Sequence, residues 1–106
     1  MESKTINGVD LAALGAVIGR FTADPATAAF EFRSSTTWKG GAEVESTFTG
    51  HRQGGVDATR ERPHHLGGDE PVELLGAGRH VGPSGHLLHA ASHCLTVTTA
   101  YHGAAR

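Results

Sequence analysis

The residues whose types and spacing could do chemistry concentrate in HAASHCLTVTTAYHGAAR, positions 89 to 106, which holds the single cysteine of the chain, Cys94. A thiol attacks as its thiolate, so a reactive Cys94 needs a neighbouring cation that favours the ionised form. His93 beside it, His89 about one helical turn back, and Lys39 or Arg33 from an earlier segment are the candidates. On an alanine-rich stripe a cysteine is most often a small inert hydrophobe, and the reactive thiol is the alternative reading of Cys94. With no second thiol, an intramolecular disulfide and a CxxC metal knuckle are excluded.

The histidines are the second chemical feature. His86, His89 and His93 stand at i, i+3 and i+7, which lines their rings along one side of a helix, and the His89 and His93 pair has the spacing of a divalent-metal chelate. There is no HExxH, so the spacing reads better as a polar interface or the mouth of a pocket, and no metal site or cofactor is assigned. His64, His65, Asp69 and Glu70 form another group of ligand types, but in a glycine-rich stretch they read as a solvated turn. No P-loop, GxGxxG or Ser-His-Asp order is present.

Elements must position these groups. The spacing of Leu11, Leu14, Val17, Ile18 and Phe21 predicts an amphipathic helix, capped by Asn7 or Asp10 and ending before Pro25. AAFEFRSSTTWKGGAEVESTFTG alternates with period two around Gly40 and Gly41, which predicts a β-hairpin with Phe30, Phe32, Val44 and Phe48 toward a core and Trp38 packed on its neighbours. Residues 51 to 71 show no period and carry glycine pairs and prolines, so a loop is expected there, with at most a short strand at its end. A short apolar patch at Leu74 and Leu75 follows. The final helix is expected from about Ser84, as N-cap, to about Ala104, with Leu87, Ala90, Ala91, Cys94, Val97, Thr98 and Tyr101 on one buried stripe.

At 106 residues the chain is expected to form one domain, 1–106, of α+β class. Nine Lys and Arg against eleven Asp and Glu, with no basic block, argue against nucleic acid as a partner. MESKTINGVD has no apolar run behind Lys4, and the segment from His80 to Ala105, although free of Asp, Glu, Lys and Arg, is made too polar to span a bilayer by its histidines, Ser and Thr. A cytoplasmic protein without a membrane partner is expected.

Taken together, GVDLAAL, FEFRSSTTW, DEPVELLG, GPS and LLHAASHCLTVTTAYHGAAR resemble the N-terminal part of the OsmC/Ohr family, the osmotically inducible and organic hydroperoxide resistance proteins. The resemblance runs from about Gly8 onward, and its most specific part is the last segment, with Cys-Leu-Thr and Tyr-His-Gly-Ala-Ala-Arg. It implies an antiparallel sheet wrapped on a long central helix, with an N-terminal amphipathic helix, in an intertwined homodimer. It also implies thiol-dependent reduction of organic hydroperoxides, an antioxidant role in the oxidative stress response, with Cys94 as the peroxidatic residue.

The departures from the family pattern concern its supporting groups. The family's approach to this helix carries a glutamate where GPSGHLL has Ser84 or Gly85, and WKGG places Lys39 near the family's hairpin arginine. Lys39 supplies charge without the two-pronged geometry of a guanidinium. The family's resolving cysteine lies in a C-terminal part that has no counterpart here. The chain is therefore expected to correspond to the N-terminal two thirds of a family domain, with an external thiol as reductant. The alternative is a catalytically inactive, dimeric binding or interaction module.

Overall fold

The computed structural model describes residues 4–106. Strands β1 (Thr5–Ile6) and β2 (Val9–Asp10) form a small antiparallel hairpin, followed by helix α1 (Leu11–Ala23) and a short 3-10 turn at Pro25–Ala28. A four-stranded antiparallel sheet comprises β3 (Phe30–Phe32), β4 (Ser35–Gly40), β5 (Glu43–Gln53) and β6 (Val56–Gly68). A second 3-10 turn (Val72–Leu74) leads to the long helix α2 (Pro83–Ala104). The class is α+β, as expected, and among the described residues no helix is long and apolar enough to cross a membrane.

The first hairpin was hidden by its shortness. Asn7 and Gly8 both take positive φ, 54° and 73°, which suits the mirror-image turn that joins two twisted strands. Asn7 is thus a turn residue rather than a helix cap, and Asp10 caps α1 by accepting the N–H of Ala13 at 3.1 Å. Such a cap is worth about 1 kcal/mol. The helix stops at Ala23 ahead of Pro25, where Asp24 turns to cap the following 3-10 turn.

Strand β5 is the spine of the sheet. Along one edge it pairs with β3 at Phe30↔Gln53 and with β4 at Trp38↔Val44, so the first arm of the expected hairpin is real but broken between Phe32 and Ser35. Along the other edge it pairs with β6 over nearly its full length.

The loop expected at 51 to 71 is overturned by this pairing. Gly54 and Gly55, with φ of 57° and 82°, form a tight turn, and the chain returns along β5 as a 13-residue strand. No alternation announced β6, because it lies at the sheet edge and is exposed along most of its length, which removes the demand for apolar residues on one face. Its breakers are accommodated by a bulge. Phe48 pairs with His64 and Gly50 with Thr59, so residues 60 to 63, including Pro63, face the single residue Thr49. Gly50 has no room for a side chain there: a Cβ would collide with the carbonyl of Ala58.

Among the described residues the buried side chains are Asp69 and Ala104, and no large side chain is fully enclosed. Phe30 and Phe32, expected in a core, are exposed, and they stack with His51 at ring separations of 5.8 Å. The radius of gyration is 18.2 Å, against about 13 Å for a compact chain of this length. The accessible surface is 8279 Å², and a compact monomer of this mass would expose about 5,600 Å². The secondary elements are therefore formed, but much of their apolar surface is not covered within one chain.

Candidate functional site

Helix α2 carries the candidate groups. Its start is fixed by Gly82 as N-cap and Pro83 in the first turn, two residues ahead of the expected Ser84 cap, and it ends at Ala104 as expected. Pro83 lacks the N–H that would go unsatisfied there and has φ set for a helix. At roughly 100° per residue, His86, His89 and His93 occupy one side of the helix while Leu87, Ala91 and Leu95 lie across from them, with Cys94 between.

The histidine side turns toward the sheet. His86 Nε2 is 3.0 Å from the carbonyl oxygen of Gly67, and because a carbonyl only accepts, Nε2 carries the proton and donates. His89 and His93 stand with their rings 5.9 Å apart and form one wall of a groove between α2 and the sheet. The groove has a volume of about 740 Å³. Its apolar floor is Phe32, Phe48 and Leu66, and its other ionisable lining residues are Arg33, Arg60, His51, His64 and His65. No Asp or Glu lines it. The sequence reading of the histidines as lining a pocket thus matches their position, while the partners from β3, β5 and β6 required the fold.

Cys94 does not line this groove. Its thiol is exposed, and so are Ala90, Ala91, Leu87, Thr98 and Tyr101 of the stripe that was expected to be buried. The cause is that α2 meets the sheet at His86, while the rest of the stripe is left without a covering element except at Tyr101, which borders Val9 and Leu14. Among the described residues no side-chain hydrogen bond or ion pair engages the Cys94 thiol. Lys39 is exposed near the end of β4, on the edge of β5 opposite β6, and the structure does not pair it with the thiol. Arg33 is held elsewhere, by Glu31 at 2.9 Å and Asp57 at 3.0 Å.

Asp69 has a role the sequence did not disclose. It is a buried clasp rather than a solvated turn or a metal ligand. Its Oδ1 accepts N–H groups of Glu70 at 2.8 Å and Ala77 at 3.3 Å, and its Oδ2 accepts that of Arg79 at 3.2 Å. These bonds, led by the one from Glu70, hold its pKa below the ordinary carboxylate value against the opposing cost of burial. The Asp69 N–H in turn donates to Val81 O, two residues before α2, so the clasp fixes the approach to the helix. Arg79 extends outward to Glu43 at 3.3 Å, tying the same loop to the start of β5. A carboxylate followed by alternating glycines, GGDEPVELLGAG, was the only signal in the sequence.

Among the described residues no group of three or more His, Cys, Asp or Glu is arranged to hold a metal ion. Trp38 is exposed on β4 and bends back over the hairpin, its Nε1–H donating to Gly41 O at 2.9 Å. No protein-family model matches the chain, and no curated protein is similar to it.

Proposed function

We propose that the chain is an OsmC-like protein that reduces organic hydroperoxides through Cys94, working as a homodimer with an external thiol as reductant. The observation that carries this reading is the exposure of the Cys94 thiol in mid-helix, which leaves its sulfur open to a peroxide. The thiolate attacks the distal oxygen, the O–O bond breaks, and the departing alkoxide takes up a proton to become an alcohol. Cys94 is oxidised to the sulfenic acid as the peroxide is reduced. One external thiol then displaces water to form a mixed disulfide, and a second releases the Cys94 thiol and the oxidised reductant.

Dimerisation is supported by the surface that one chain leaves uncovered. Leu87, Leu88 and Leu95 are each about two thirds or more exposed along α2. The excess over a compact monomer, roughly 2,700 Å² by the size scaling, is of the order that obligate homodimers bury. A second copy seated on this face brings a new set of side chains beside Cys94.

A specific observation favours a second reading, a dimeric module without catalysis: neither Lys39 nor Arg33 is paired with Cys94 in the chain. Trapping of the sulfenic acid decides between them. A pulse of cumene hydroperoxide should protect Cys94 from alkylation and yield a dimedone adduct, and Cys94→Ser should abolish turnover. A thiol that alkylates at the same rate before and after the pulse leaves the module reading standing.

A further inference from the structure

The groove between α2 and the sheet has a composition that the thiol chemistry does not use. Seven of its lining residues are Arg or His and none is acidic, in a chain whose formal net charge is -2. Five of the eight histidines and two arginines, Arg33 and Arg60, thus share one concave surface. Three of them are engaged within the chain: Arg33 is neutralised by Glu31 and Asp57, His65 lies 3.6 Å from Glu45, and His51 is stacked on Phe30 and Phe32. Arg60 differs. Its Nε–H donates to Arg62 O at 3.0 Å, and among the described residues no carboxylate pairs with its guanidinium.

The same surface is strongly apolar at its floor, where Phe32, Phe48 and Leu66 line it. A volume of about 740 Å³ falls within the usual range of small-molecule sites, about 300–1,000 Å³. A site with an unpaired guanidinium above an apolar trough suits a ligand with one anionic head and an extended hydrocarbon body. A planar carboxylate matches the paired N–H groups of a guanidinium better than a neutral head does.

We propose that the groove between α2 and the sheet binds an aliphatic monocarboxylate, its head on Arg60 and its chain over Phe32, Phe48 and Leu66. Ring N–H groups of His64, His89 and His93 stand in the same walls as further donors. The site is separate from the proposed peroxidase chemistry, because Cys94 does not line it.

Calorimetric titration of decanoate, below its micelle concentration, into the Cys94→Ser protein tests this with the thiol removed. Saturable binding of one decanoate per chain is expected, with decanol and decyltrimethylammonium at least tenfold weaker. Arg60→Gln should weaken decanoate binding at least tenfold and Arg60→Lys should restore part of it. Arg20→Gln, on α1 and outside the groove, should leave it unchanged. Equal binding of decanoate and decanol, equal effects of the Arg60 and Arg20 variants, or no saturable heat would each overturn the proposal, whatever the peroxidase result.

Discussion

Asp69 Oδ2 accepts the backbone N–H of Arg79 at 3.2 Å, ten residues further along the chain, and with its two other bonds it gathers the loop that delivers helix α2. A buried carboxylate satisfied by three N–H groups is a strong local organiser, because each of those donors would otherwise lack a partner. The position of Cys94 and of the groove histidines thus depends on a residue that belongs to neither.

The pH dependence of stability follows from this clasp. The folded-state pKa of Asp69 is lowered below its ordinary value of 3.8, so its contribution is fully present above that value and is lost as the pH falls toward and through the folded pKa. Asp69→Asn is expected to lower the urea midpoint at pH 7, with the gap to wild type narrowing as the pH falls below 3.8. Amide exchange at Ala77 and Arg79 should accelerate in the variant; unchanged protection there would show that the clasp is unimportant.

His86 joins α2 to the sheet by donating to Gly67 O. A net contribution of about 0.5–1.5 kcal/mol is typical of such a bond. His86→Ala should lose about that much in chemical denaturation. His86→Gln, which retains an N–H donor, should recover part of it.

Gly50→Ala probes the bulge. Its Cβ would meet the carbonyl of Ala58 across the β5 and β6 pair, and no flexible side chain is available to yield. Crowding of this kind costs about 1–3 kcal/mol. The expected result is a lower melting temperature with the largest amide shift changes around Ala58 and Thr59. Wild-type stability would mean that β6 pairs differently from the register described.

The exposed leucines of α2 test assembly. Leu95 is 70% exposed in the single chain. Leu95→Glu on that face should raise the dimer dissociation constant at least tenfold, measured by sedimentation velocity across a concentration series, because it would bury a carboxylate without a partner. A wild-type chain that sediments as a monomer at all concentrations would remove the homodimer from the proposed function.

Local patterns determined a good deal. The α1 periodicity and its Asp10 cap, the stop before Pro25, the Gly40 and Gly41 hairpin and the end of α2 near Ala104 were all legible, because each rests on interactions within a few residues. The i, i+3, i+7 spacing of His86, His89 and His93 also placed them on one side of α2, as a rigid helix requires.

Only the tertiary structure decided the rest. Strand β6 exists because Gly54 and Gly55 return the chain onto β5, and the pairing energy comes from backbone groups that no hydrophobic pattern reports. Which side of α2 meets the sheet was fixed by His86 reaching Gly67 O, so the apolar stripe with Cys94 is left outward. The groove draws Phe32, Phe48, Arg60 and His93 from four separate elements, and the Asp69 clasp draws on backbone N–H groups that every residue type except proline carries. Spacing along a chain cannot specify such meetings, since they depend on where whole elements come to rest.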